Sequence, residues 1–387
     1  MSGMWDDLVG QSAAIETMRQ AATAAHDRTS APGAMTHSWL ITGPPGSGRS
    51  NLAYAFAAAL LGDGPDSDPA TIRQVVARTH PDLAVLSTEK VIISIDEVRT
   101  LVTSSQYSPS VSNYRVMVIE DADRMTERTS NLLLKALEEP PPRTVWILCA
   151  PSDADLLPTI RSRVRTVRLR IPEAEDVADL LVARDGVERG VALAAAREAQ
   201  SHIGMARRLA KNPDARERRA ETLRLALGLR SVPSAVEAAA RLVELAKADA
   251  ESTSAERDAA EREQLLRTLG IEPGGTIPPA LRSQVKALED DQKRRSTRSL
   301  RDGIDRILLD YLSLYRDILL RQLGAEVPLM NSSVSTELEA AALAGTAAHT
   351  LEVMDAVAAA RRRIEANVPP ALALEAMLVS AARKGAA

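Results

Sequence analysis

Gly43-Pro44-Pro45-Gly46-Ser47-Gly48-Arg49-Ser50 is the stretch that decides the fold. It follows the apolar run Trp39-Leu40-Ile41-Thr42 and precedes a second apolar stretch, 51–61. A strand, a glycine-rich turn and a helix in that order make a phosphate loop, written G-x-x-x-x-G-K-[ST]. The glycines let the backbone curl so that successive N–H groups point inward at phosphate oxygens. The N-terminus of the next helix adds partial positive charge at the same place. Gly43, Gly46, Ser47, Gly48, Arg49 and Ser50 are therefore candidate nucleotide contacts, with the Ser50 hydroxyl where Mg2+ would be ligated. A glycine-rich turn without a ligand is the plain alternative. Position 49 departs from the pattern, being Arg where Lys is required. Lys places a compact charge between the β- and γ-phosphates, whereas a guanidinium is wide, planar and rigid. Catalysis is expected to suffer more than binding, because the cradle is backbone. Losing a well-placed charge at phosphoryl transfer costs about 10²–10³ in rate.

Outward from the loop, Val116-Met117-Val118-Ile119 and Val145-Trp146-Ile147-Leu148-Cys149 are continuous apolar runs, as buried parallel strands are. The first ends in Glu120 and Asp121. On the metal side of a phosphate loop the first carboxylate is an Asp that holds Mg2+. Glu120-Asp121 is one methylene off at that position, and a 1 Å misplacement costs about 10²-fold. Solvated acids at a strand end are the alternative. Ser94 and Glu97 form a capping box before a helix with Ile95, Val98 and Val102 on one face. Thr126 caps a helix carrying Leu133, Leu134 and Leu137, which Pro140-Pro141-Pro142 ends. Val167, Leu169 and Ile171 read as the buried face of a further strand. This alternation predicts an α/β sheet. After Pro172 strand signals vanish. Val177, Leu180 and Leu181 begin a helical region, and from about 215 the chain is helical and Ala-rich. Its clearest helix is predicted over Leu300–Leu323, with Ile304, Ile307, Leu308, Tyr311, Leu312, Tyr315 and Ile318 on one stripe and Gly324 as the stop. Residues 248–263 alternate in charge, and 271–279 read as a linker or loop. Three domains are expected, at 1–171, 172–214 and 215–387.

The chain has 387 residues, 45% hydrophobic and 26% charged, the balance of a globular protein. Aromatic residues make up 2%, so the cores are aliphatic and stacking on unpaired bases is a poor candidate for the main binding mode. Basic and acidic residues nearly cancel, 48 against 52 for a net charge of −4, so no global basic field draws the chain to DNA. Cys149 is the single cysteine, which excludes an intrachain disulfide or a Cys-rich zinc site and fits a reducing cytosol. Residues 1–9 carry Asp6 and Asp7 and do not read as a signal peptide. No run approaches about 18 apolar residues, so no membrane span is expected, and a cytoplasmic location is.

Taken together, several segments resemble the bacterial clamp-loader AAA+ subunits of DNA polymerase III. They are Leu8-Val9-Gly10-Gln11, Gly43 to Ser50, Ile119 to Met125, Asn131 to Pro141 and Leu157-Pro158-Thr159-Ile160-Arg161-Ser162-Arg163, with a weaker match at Asn367 to Leu378. The resemblance implies a P-loop AAA+ module with a parallel sheet, a small helical lid and an all-α collar used for oligomerisation. In AAA+ proteins a Glu after the metal-binding Asp polarises the attacking water, and Asp121 is too short for that. The degenerate loop points within the family to the delta-prime type in its actinobacterial form. Ser162-Arg163 matches a motif that supplies an arginine finger to ATP on a neighbouring subunit, with Val164 in place of the usual Cys. By spacing alone Arg161, Arg163 and Arg165 read as solvated arginines before a strand. Arg207, in Gly204-Met205-Ala206-Arg207, resembles a sensor 2 arginine that reaches a γ-phosphate, or else is an exposed helix arginine. Ser152 lies near the sensor 1 position. Many relatives carry a four-cysteine zinc module, but residues 62–79 hold no Cys. His80 then reads as a surface histidine, no zinc is expected, and a short helix over Thr71–Ala77 is expected instead.

The resemblance implies a non-hydrolysing clamp-loader subunit that offers Arg163 in trans and helps load the sliding clamp on primed DNA. Its partners would be the gamma/tau and delta subunits, the clamp, and primed DNA through the complex, with no membrane. It would be part of a nucleotidyltransferase holoenzyme without polymerase or significant ATPase activity of its own. No cofactor is required, while the backbone cradle leaves weak ATP and Mg2+ binding open. An active ATPase of the gamma/tau type and a stand-alone AAA+ remodeller or helicase are the alternatives.

Overall fold

Aliphatic runs punctuated by turns and caps become, in chain order, α1 (Ser12–His26), β1 (Ser38–Thr42), α2 (Arg49–Leu61), α3 (Pro69–Val76), β2 (Leu83–Leu86), α4 (Ile95–Ser105), β3 (Arg115–Ile119), α5 (Glu127–Glu138), β4 (Thr144–Ala150), α6 (Pro158–Arg161) and β5 (Arg165–Arg168). The computed structural model describes residues 4–27, 35–88, 92–268 and 282–382. The strands form one sheet in the order β2-β3-β4-β1-β5, every pairing parallel. Parallel neighbours need crossovers over the sheet faces, so both faces are covered by helices, and the central strands β1 and β4 are buried along their whole length. Side chains alternate along each strand. Trp39 and Ile41 enter one core with Leu52 and Phe56 of α2. Leu40, Met117, Trp146 and Leu148 enter the other with Leu133 and Leu137 of α5. Trp39 and Phe56 meet edge to face with centroids 5.5 Å apart. The fold is the expected α/β module with a parallel sheet, and the three strongest strand readings hold.

Three readings need correction. β2 has no counterpart in the sequence reading. Only four residues long, it sits at the sheet edge, where a short run carries little pattern. The last strand ends at Arg168; Val167 and Leu169 are buried but Ile171 is 62% exposed, because the chain has already left the ladder there. His80 is not a surface histidine. It is buried, its Nδ1 accepting from Asp82 N at 3.2 Å and its Nε2 lying 3.4 Å from Ser112 Oγ. Burial pushes its imidazole below the usual value, against the pull of Asp82. The short helix expected after the phosphate-loop helix is α3, begun by Asp68, which accepts from Ala70 N and Thr71 N.

The chain divides into two compact units, residues 1–210 and 211–387. The first is completed by α7 (Ala174–Asp185), α8 (Arg189–Glu198) and α9 (Ile203–Lys211). The second contains α10 (Pro213–Leu227), α11 (Val232–Thr268), α12 (Arg282–Gln322), α13 (Ser335–Ala344), α14 (Ala347–Glu365) and α15 (Pro370–Ala382). The expected helix from Leu300 starts much earlier, at Arg282. Its buried stripe takes Leu314 where Leu312 was expected, with Leu312 and Tyr315 only partly buried. The alternating charge of 248–263 now has a reason, since α11 and α12 run antiparallel and exchange ion pairs. Arg306 faces Asp249 at 3.8 Å, Arg295 faces Asp258 at 2.8 Å, and Arg262 faces Glu289 at 3.2 Å. Residues 271–279, read as a linker or loop, lie outside the described residues. Among the described residues no helix is long and apolar enough to cross a membrane.

Candidate nucleotide loop and interface arginine

The loop joins β1 to α2 as its glycines require. Gly46 and Gly48 have φ of +80° and +93°, a region that costs side-chain-bearing residues strain. The loop is also closely packed. A Cβ on Gly46 would lie 2.3–2.5 Å from the His202 ring, so only glycine lets that ring lie against the loop. His202 is itself fixed, its Nδ1 accepting from Met205 N at 3.2 Å at the start of α9. Leu169 and Leu8 crowd Gly43 and Gly48 in the same way, at 2.8 and 3.0 Å. Ser47 is buried and its Oγ has no hydrogen-bond partner. Ser50 is half-buried in the first turn of α2.

Arg49 turns back on its own loop, its Nη1 donating to the Gly43 carbonyl. Beneath it, the buried Cys149 approaches the Arg49 carbonyl at 3.9 Å. Burial pushes that thiol up to about 12, so it carries no thiolate at neutral pH.

Glu120 is 12% exposed and accepts three donors. They are the Tyr54 hydroxyl from α2, Ser87 Oγ at 2.6 Å and Arg78 Nη2 at 2.8 Å. Arg78 also lies 5.5 Å over the Tyr54 ring. Burial, then the bond to Glu120, lift the Tyr54 phenol far above its ordinary value, so Tyr54 remains a donor. Asp121 faces Arg124 Nε at 3.9 Å. Burial, with Asp121 adding to it, holds Asp123 above the usual carboxylate range. Among the described residues no group of three or more His, Cys, Asp or Glu could hold a metal.

Arg163 follows α6 and lies against the end of α5. Its Nε donates to Glu138 Oε1 at 2.7 Å and its Nη2 to the same oxygen. Its Nη1 donates to the Thr159 carbonyl at 2.6 Å and to Ser162 Oγ at 3.2 Å. Arg207 is tied to α7, with Nε 2.9 Å and Nη2 2.7 Å from Asp185 Oδ1. Asp185 is buried, which raises its carboxyl, but Arg207 and Arg184 outweigh that and hold it low. Ser152 is spent as a cap, accepting from Ala154 N at 3.2 Å.

The structure thus gathers Gly43 to Ser50 with Glu120 and Asp121 at one end of the sheet, and leaves Arg163 and Arg207 each on a carboxylate of the same unit. Sequence reasoning missed His202, the Tyr54–Ser87–Arg78 cluster on Glu120, and Glu138. Only Glu138 had a signal, as part of the Leu137-Glu138-Glu139-Pro140 run.

Residues 18–173 match the family model described as DNA polymerase III, delta subunit. The chain is 37% identical over 134 residues to DNA polymerase III subunit delta' of Pseudomonas aeruginosa, covering 33% of this chain and 41% of that protein. It is 32% identical over 205 residues to subunit delta' of Escherichia coli, covering 51% and 60%. It is 31% identical over 146 residues to subunit gamma/tau of Mycobacterium bovis, covering 36% and 25%. The chain therefore spans less than two thirds of the length of each of these relatives. Over this N-terminal module the chain is similar to the clamp-loader subunits of DNA polymerase III, delta-prime and gamma/tau among them.

Proposed function

We propose that this chain is a clamp-loader subunit of the delta-prime type that does not hydrolyse ATP itself. It offers Arg163 to nucleotide held by a neighbouring gamma/tau subunit and, with gamma/tau and delta, helps load the sliding clamp on primed DNA in the cytoplasm. The observation that carries this reading is the state of Glu120. An ionised carboxylate offers about four lone-pair sites, and Tyr54 and Arg78 take both on Oε1 of Glu120 while Ser87 takes one on Oε2, so a Mg2+ would have to compete with these donors. Arg49, bonded to the Gly43 carbonyl, is likewise turned from any phosphate. These residues do not fit a Mg2+–nucleotide, so no hydrolytic step is assigned to this chain, and neither nucleotide nor zinc is required by it. Arg163 and Arg207, whose head groups are bonded elsewhere in the first unit, play no part in that loop.

An arginine supplied in trans neutralises charge on the transferring phosphoryl group and is worth about 10³–10⁵ in rate in well-studied cases. The purified chain is therefore expected to turn over negligible ATP, and Arg163→Ala to slow the ATPase of the assembled loader by about 10²-fold or more. An unchanged loader rate removes the finger. Turnover by the chain alone that Ser50→Ala abolishes establishes an ATPase of the gamma/tau type instead.

A further inference from the structure

Arg163 is almost fully committed within its own unit. Of the N–H donors a guanidinium carries, Nε and one on Nη2 go to Glu138, both on Nη1 go to Thr159 and Ser162, and a single Nη2 N–H is left over. Nε and Nη2 are adjacent parallel donors, a fork that matches carboxylate or phosphate bidentately. Glu138 occupies that fork, so a phosphate oxyanion approaching Arg163 must compete with it.

The position of Glu138 makes this competition unequal. It is the last residue of α5, where the unpaired carbonyls concentrate partial negative charge. Glu139 follows it and adds a second carboxylate. Their combined negative charge attracts a cation whether or not a nucleotide is present. The pair is nonetheless exchangeable, because the Arg163 and Glu138 side chains are 29% and 47% exposed and solvent-exposed ion pairs are weak. The Thr159 carbonyl bonds Nη1, on the other side of the head group, and need not be given up when the fork is released.

We propose that Glu138 is the latch of Arg163, a counter-ion that holds the guanidinium fork in the unengaged subunit and yields it to a phosphate oxyanion on the neighbouring subunit. The latch rests on the trans-finger reading of Arg163. Glu138 touches no nucleotide; it is a positioning residue that sets how readily the finger engages.

Glu138→Gln keeps the side-chain size and removes the charge. In the loader assembled with its gamma/tau and delta partners, ATP turnover is measured across ATP concentration with clamp and primed DNA present. The expected result is an apparent KM for ATP lower by about two- to fivefold, the span for releasing one exposed ion pair, with kcat unchanged. The double variant with Arg163→Ala should be indistinguishable from Arg163→Ala alone. An unchanged KM, a fall in kcat, or a KM shift that persists without Arg163 overturns the latch while the finger stands. Arg163→Ala that leaves the loader unaffected overturns the finger itself, and the latch with it.

Discussion

At the residue scale, the chemistry of this chain is set by which partners its charged groups have found. Asp82 is fully buried. It accepts from Ser110 N at 2.6 Å, Ser110 Oγ at 2.9 Å, Val111 N at 2.7 Å and Ser112 N at 2.8 Å. Burial pushes its carboxyl up, but these bonds win and hold it below the usual value. Its stabilisation is present above the unfolded carboxylate value, about pH 3.9, and is lost as pH falls through the lower folded value. His80 works in the same direction. Its folded value lies below the unfolded one, about 6.5, so the unfolded chain takes up the proton first and stability falls on acidification from there. Thermal melts across the acidic range should therefore show two declines, and His80→Gln should flatten the upper one. Asp82→Ala orphans three backbone N–H groups and should cost about 2–4 kcal/mol, read from denaturant midpoints. Arg49→Lys is expected to leave the isolated chain without ATP turnover, because Glu120 stays bonded to its three donors; measurable hydrolysis would contradict that.

At the scale of elements, local rules were the most legible. Ser94 accepts from Glu97 N at 3.4 Å while Glu97 Oε2 accepts from Ser94 N at 2.8 Å, the box its spacing announces. Ser94→Ala should destabilise the first unit by about 1 kcal/mol, seen as a lower melting temperature with unchanged circular dichroism. Thr126 caps α5 as read, and Gly324, at φ +67°, follows the end of α12. What was not legible was the first half of α12. A periodic stripe marks a helix only where it faces a core, and residues before 300 face the charged side chains of α11. The ion pairs there, Arg295 with Asp258 and Glu261 among them, join residues more than thirty positions apart and so leave no local pattern.

For the whole molecule, two compact units with cores of their own, one on each face of the sheet in the first and one among the helices of the second, imply two foldable pieces. Residues 1–210 expressed alone should be folded and melt cooperatively; a fragment without a cooperative transition would show that it leans on the second unit. Within 211–387 a buried polar knot holds the stretch after α12. Asp317 Oδ2 accepts from Met330 N and Asn331 N, both at 2.9 Å, and Arg219 reaches Asp310 at 3.0 Å and Asn331 Oδ1 at 2.6 Å. Each buried polar group there has its partner, as a low-dielectric interior demands.

The sequence by itself determined the α/β sheet, the phosphate loop with its departures at 49 and 120–121, and the helical second half. Each of these is written in neighbours a few residues apart, as apolar runs, caps and glycines. Only the tertiary structure decided what the charged and polar side chains do. Tyr54 and Glu120 lie 66 positions apart, and Glu138 and Arg163 lie 25 apart. His80 meets Ser112, 32 positions on. A hydrogen bond ties whichever groups folding brings within about 3 Å, and spacing along the chain does not encode that proximity.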